Sequence, residues 1–177
     1  MGNIVSNKLG LLSVIDGSCK LNGGRGVVFD SDDNKVVCSD IKKSYESVKN
    51  LFNAMDIHGH LRVSIFSRQA LSYSLLSIPV LDMAVIVPID TTLPGRELQK
   101  FLGLLSVDLV LMDRDILGDF DFMEEAGFGL ATFEAFEKTG EAGFDFEIIR
   151  RCSKDDINPE VKSPDQVLIN TTSGTTS

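Results

Sequence analysis

The sequence predicts an α/β fold, a mainly parallel sheet flanked by helices. Three observations predict it. Strand-like and helix-like stretches alternate from residue 61 to 112, the pattern of crossover units in a parallel sheet. Ala84 to Val87 is short and wholly apolar, as a central strand covered on both faces would be. The stretch from Asp40 to Met55 carries an apolar stripe at helical spacing.

Taken in order, Leu9 to Ile15 suits a short helix or a strand, and Asn22-Gly23-Gly24-Arg25-Gly26 is a turn signal. Val27 to Asp30 and Lys35 to Cys38 read as the strands of a hairpin around Ser31 to Asn34. Ser39 or Asp40 can cap the next helix, whose stripe is Ile41, Tyr45, Val48, Leu51, Phe52 and Met55. Leu61, Val63 and Ile65 alternate with Arg62 and Ser64, giving a strand over 61–66. A helix follows over 70–81, with Pro79 bending or ending it. Pro94 suits the first turn of a helix over 94–105, with Leu98, Phe101, Leu102 and Leu105 as its apolar face. Asp108 to Met112 is another strand.

Residues 119 to 147 hold nine acidic residues against the single base Lys138, together with seven of the eleven phenylalanines. Rings in that number need burial, so the stretch reads as a solvated acidic face over buried aromatics, not as a disordered tail. A helix near Phe122 to Ala126 and strands near 130–136 and 144–149 fit it. Ser153 to Pro164 is a polar linker into a last strand, Val167 to Asn170.

Composition narrows the function classes. With 43% hydrophobic residues the chain can build one real core. A net charge of −9 provides no footprint for nucleic acid. Leu71 to Ile89 is the longest apolar region, but Asp82, Pro79, Pro88 and several serines argue against a membrane span. The cysteines, Cys19, Cys38 and Cys152, are odd in number and widely spaced, which predicts no disulfide framework and a reducing, cytoplasmic setting. His58-Gly59-His60 beside Asp56 reads as a solvated turn, since no further metal ligand is in view. Met1-Gly2-Asn3-Ile4-Val5-Ser6 matches the N-myristoylation pattern, making Gly2 an acceptor in a eukaryotic setting; one such chain anchors weakly.

The chemistry concentrates at residues 167 to 177, Val-Leu-Ile-Asn-Thr-Thr-Ser-Gly-Thr-Thr-Ser. A strand runs into a loop of four threonines, two serines and Gly174. Gly174 permits a positive φ and close backbone approach, and successive N–H groups in such a turn make an anion-binding concavity suited to a polyphosphate. The Walker pattern is absent.

Thr172-Ser173-Gly174-Thr175-Thr176 resembles the phosphate loop of the AMP-forming adenylating superfamily, which includes acyl-CoA synthetases, luciferases and nonribosomal peptide synthetase adenylation domains. The usual motif is Thr-Ser-Gly-Ser/Thr-Thr-Gly-x-Pro-Lys; Ser177 stands where Gly is usual, and the sequence stops before Pro-Lys. Weaker similarities accompany it. Arg62-Val63-Ser64-Ile65 resembles the family's Arg-Val-Ala-Ile strand, and Val87-Pro88-Ile89-Asp90 with Glu97-Leu98 resembles its Pro-Leu-Asp-Pro … Glu-Leu segment.

The resemblance implies an N-terminal segment over 1–26 and a partial adenylation domain over 27–177, an incomplete N-terminal subdomain of the acyl-CoA synthetase/luciferase-like fold. It implies that Thr172, Ser173, Gly174, Thr175, Thr176 and Ser177 hold the ATP phosphates, with Mg2+ as cofactor and a small carboxylate and coenzyme A as co-substrates. The family's acyl pocket, adenine and ribose contacts, hinge and catalytic Lys all follow this loop, so no catalytic residue is assigned, and none is assigned to a metal. The expectation is an N-terminal fragment of a carboxylate-activating ligase, inactive alone, with self-association through exposed apolar surface. The alternative is a non-catalytic interaction module on the same fold.

Overall fold

The computed structural model describes residues 11–21, 28–29, 35–57, 61–120, 127–138 and 141–152. The elements are helix α1 (Leu11–Leu21), strands β1 (Val28–Phe29) and β2 (Lys35–Val36), helix α2 (Cys38–Ala54), β3 (Arg62–Phe66), α3 (Ala70–Met83), β4 (Val85–Ile86), α4 (Gly95–Leu104), β5 (Leu109–Asp113), a 3-10 helix (Arg114–Asp119), β6 (Gly129–Lys138) and β7 (Glu141–Arg150). β1 and β2 form a separate antiparallel pair, and the other five strands form one sheet in the order β4-β3-β5-β6-β7. Within it β4, β3, β5 and β6 run parallel, and β7 returns antiparallel to β6. The expected mainly parallel α/β sheet is therefore present.

Strand alternation sorts the core into two layers. Val63, Ile65, Leu109, Leu111, Ala131 and Phe133 face α2 and α3, meeting Ile41, Tyr45, Val48, Leu51 and Phe52 from the first and Leu75, Leu76 and Val80 from the second. Phe66, Val110, Met112 and Leu130 face the other way, against Leu98 and Leu102 of α4 and the rings of Phe120 and Phe128. All six residues of the stripe predicted on α2 are buried.

Several local expectations are corrected. Helix α2 begins two residues earlier than expected, at Cys38, and neither Ser39 nor Asp40 is its cap. Val37 holds that position, and Asp40 acts from inside the first turn, its carboxylate accepting the Val37 N–H at 2.7 Å. Pro79 neither ends nor interrupts α3. Proline has no N–H for the carbonyl four residues earlier, here that of Leu75. The Ser44 hydroxyl of α2 donates to that carbonyl at 2.9 Å instead. β4 is not central but lies at the sheet edge among the described residues. Val85 and Ile86, which point to opposite faces, are both buried, so both faces of β4 are covered although a strand flanks only one of its sides among the described residues. Phe101 was expected on the buried face of α4; it is substantially exposed, as is Leu104.

The cysteines differ most from expectation. Cys19 and Cys38 are joined in a disulfide linking the last turn of α1 to the first residue of α2. A separation of 19 residues conceals this proximity in the sequence; the intervening β1–β2 pair brings the chain back. Cys152 remains a free thiol, donating to the Asp108 carbonyl at 3.4 Å. Burial pushes that thiol up to about 11. Glycine is required at 129, where a Cβ would lie 2.5 Å from the Cys152 sulfur.

The acidic, phenylalanine-rich stretch behaves as read wherever it is described. Phe120, Phe128, Phe133 and Phe144 are buried, while Glu134, Asp145 and Glu147 are exposed. Phe133 meets Phe144 edge to face at 5.6 Å, a favourable ring geometry. The helix expected near 122–126 and the strand expected over 167–170 lie outside the described residues.

Candidate functional site

The two ends of the parallel sheet differ in kind. At the amino ends Asp108 and the Arg62 backbone are taken up by the fold. Asp108 accepts the Arg62 N–H on its carboxylate at 2.8 Å and donates its own N–H to the Arg62 carbonyl at 2.9 Å. Its carbonyl accepts the Gly129 N–H at 2.8 Å, so one residue pins β3, β5 and β6. The Arg62 guanidinium reaches the Leu105 carbonyl at 2.9 Å.

At the carboxyl ends the connections diverge. The segment after β3 leads to α3 on one face, whereas those after β4 and β5 lead to α4 and the 3-10 helix on the other. Such a switch point opens a crevice beyond the strand ends, where open α/β sheets bind ligands. Its rim is built from Ser67, Arg68 and Gln69 after β3, Pro88 to Thr92 after β4, and Asp113 with the 3-10 helix after β5.

Local hydrogen bonds set this rim. Ser67 Oγ accepts the Gln69 N–H at 3.1 Å, and the Ser72 hydroxyl donates to Gln69 Oε1 at 3.1 Å. The Arg68 N–H donates to the Asp113 carboxylate at 3.0 Å, and the Arg68 guanidinium pairs with Asp119. Asp90 Oδ1 accepts the Thr92 hydroxyl at 2.7 Å and its N–H at 2.9 Å, and these bonds, the hydroxyl's foremost, hold the Asp90 carboxyl below its usual range. Further along, Arg114 pairs with Glu134 at 3.0 Å and Glu147 at 3.4 Å.

This arrangement decides what the rim can bind. Its cations, Arg68 and Arg114, are already matched by carboxylates, and Asp90, Asp113 and Asp115 add further negative charge. The rim by itself does not fit a triphosphate; a ligand of that charge needs backbone N–H donors and a counter-cation. A groove of about 360 Å3 between α2 and β7 serves no better. It is lined by Ser47, Asn50, Leu51, Phe144, Asp145 and Ile148 among others, with no cationic side chain.

The predicted phosphate-binding residues, Thr172 to Ser177, lie outside the described residues, as do Gly2, His58 and His60. The rim carboxylates Asp90 and Asp113 escaped the sequence reading as site-forming groups. A signal existed for both: each follows an apolar run, at the strand end where a parallel sheet presents its loops.

No protein-family profile and no curated protein matches the sequence. Solved structures do match the fold. Apo MatB from Rhodopseudomonas palustris superposes with a TM-score of 0.56 at 14% identity, covering 70% of this chain and 25% of that one. Coronafacic acid ligase from Pectobacterium brasiliense gives 0.55 at 14% identity, covering 66% and 23%. The N-terminal domain of FACL13 from Mycobacterium tuberculosis gives 0.52 at 16% identity, covering 64% and 29%. The chain thus spans about a quarter of the length of the structures it matches. The mostly parallel five-stranded sheet with its flanking helices is thus a fold shared with part of each of these structures.

Proposed function

We propose that this chain is the N-terminal portion of an ATP-dependent, AMP-forming carboxylate-activating ligase of the acyl-CoA synthetase kind. The observation that carries the reading is positional. A Thr-Ser-Gly-Thr-Thr run follows an apolar strand-like stretch in a chain whose described part has the ligase N-terminal fold. MatB from Rhodopseudomonas palustris, matched here also in an ATP-bound structure at a TM-score of 0.51, supports ATP as the nucleotide.

In this reading the backbone N–H groups and hydroxyls of Thr172, Ser173, Gly174, Thr175, Thr176 and Ser177 grip the ATP phosphates. Mg2+ offsets the charge that the acidic rim would otherwise repel, and coenzyme A takes the activated acyl group in the full enzyme. The reading sets the work in the cytoplasm, where ATP and coenzyme A are at hand. The exposed apolar pair Phe101 and Leu104 on α4 supports burial against further protein, whether the rest of the enzyme or a second copy.

Pyrophosphate–ATP exchange that depends on a carboxylate tests the proposal. The 177-residue chain should show none, since neutral donors alone would sustain only millimolar ATP binding, about −4 kcal/mol. A longer protein extending past Ser177 restores exchange, and in it Gly174→Val lowers the rate by orders of magnitude by blocking backbone approach. Unchanged exchange in that variant removes these residues from the phosphate site. A longer protein inert toward every carboxylate favours the non-catalytic module.

A further inference from the structure

Helix α1 is held differently from every other element. It lies against α2 and α3, where Leu12 and Ile15 pack on the core half-buried, and Leu11, Val14 and Leu21 face solvent. Its polar ties are few among the described residues. The Leu11 N–H donates to Asp82 at 3.0 Å at one end, and Asp16 pairs with Lys42 at 2.7 Å with both side chains exposed to water. An ion pair so exposed contributes little, and half-buried leucine and isoleucine contribute less than the fully buried residues that hold the sheet. A further tie is covalent, the Cys19–Cys38 disulfide, with Cα atoms 6.0 Å apart.

The third cysteine does not compete for this bond. Cys152 lies across the amino end of the sheet against Gly129 and Asp108, and its raised thiol is a poor source of thiolate at neutral pH. Exchange is therefore confined to Cys19 and Cys38, and Cys38, at the start of α2, is only half-buried.

We propose that Cys19 and Cys38 form a reversible redox clasp: the disulfide fixes α1 on α2 and α3, and its reduction lets α1 open from that layer while the sheet stays folded. The chemistry is thiol–disulfide exchange with a small dithiol. One dithiol sulfur attacks the bridge as thiolate, the protein S–S bond breaks, and a mixed disulfide forms. The second dithiol sulfur displaces the protein sulfur, leaving two protein thiols and the cyclised, oxidised dithiol. Two electrons and two protons pass to the protein. A small-molecule disulfide of the glutathione type drives the reverse. The inference stands independently of the adenylation reading, because it concerns only α1 and its bridge.

Hydrogen exchange read by mass spectrometry on the full 177-residue chain tests it, after equilibration with oxidised glutathione or with dithiothreitol. The oxidised chain should be lighter by two hydrogens, with peptides containing Cys19 and Cys38 linked. Reduction should speed exchange over residues 11–21 about tenfold or more and leave residues 62–66 and 109–113 unchanged. The double variant Cys19→Ser, Cys38→Ser should exchange like the reduced chain under both conditions. If that variant does not fold, Cys19→Ala alone and the reduced wild-type chain make the same comparison. The clasp is overturned by a bridge that includes Cys152, by no bridge under oxidised glutathione, or by equal exchange of α1 in both states. It is equally overturned if the sheet loses protection together with α1, which would make the disulfide a staple of the whole fold.

Discussion

In β5 the four consecutive residues Leu109, Val110, Leu111 and Met112 are fully buried; in β7 Phe144 is buried while Asp145, Glu147 and Ile149 are exposed. Both strands belong to one sheet. The difference lies in what covers them. β5 is sandwiched between the α2–α3 layer and α4, so residues of both parities meet protein. β7 packs one face on α2, through Phe144 and its neighbours, and leaves the other to water. Between β5 and β7 the residue pattern follows the number of covered faces, whereas β3 alternates in type yet is buried on both faces, the Ser64 hydroxyl donating to the Val87 carbonyl at 2.7 Å. β4, buried on both faces, lies at the edge of the sheet among the described residues.

The contrast is sharpest when a charge is placed in each strand. Val110→Asp puts an unpaired carboxylate on the α4 side of β5, a change that costs about 3–5 kcal/mol or more. Against the total of about 5–15 kcal/mol typical of a domain, that should remove a large share of the stability and lower the urea midpoint markedly. Urea titration followed by far-ultraviolet circular dichroism measures it, and a cooperative transition near the wild-type midpoint would break the two-sided account of β5.

A smaller effect is expected where the α2–α3 layer repairs its own helix. Ser44→Ala removes the donor to the Leu75 carbonyl and leaves that buried acceptor unsatisfied, a loss of about 1–3 kcal/mol. In a Pro79→Ala background the helix N–H returns, and Ser44→Ala should then cost much less. A double-mutant cycle reads the coupling directly. Equal costs in both backgrounds would mean that the hydroxyl is not the proline's substitute.

Least of all is expected from Ile149→Asp on the exposed face of β7, within about 0.5 kcal/mol of wild type. The same urea titration checks it. A loss comparable to that of Val110→Asp would mean that this face is covered in solution, for instance by another copy of the chain.

Much of the fold was open to reading in the sequence because it rests on local periodicity. The α2 stripe from Ile41 to Met55 repeats at helical spacing, the alternation of Leu61 to Ile65 marks a strand, and the continuous apolar run of β5 marks a strand covered on both faces. The hydroxyl- and glycine-rich run at 172–176 lies outside the described residues, so its reading as a phosphate site rests on residue type alone.

What the tertiary structure alone decided depends on partners distant in the chain. Periodicity reports which residues are covered but not which strand lies beside which, so the edge position of β4 emerged only from pairing. Pro79 reads as a helix breaker until Ser44, 35 positions earlier, is seen to satisfy Leu75; the length of α3 is set by a contact, not by propensity. Phe101 fits a helical apolar face by spacing, yet the α4 surface that meets the sheet is narrow enough to be filled by Leu98 and Leu102. Cys19 and Cys38 carry no sign of each other in sequence, because a disulfide requires two Cα atoms within about 4.4–6.8 Å with their Cβ atoms turned toward each other, a condition that the packing of α1 on α2 creates.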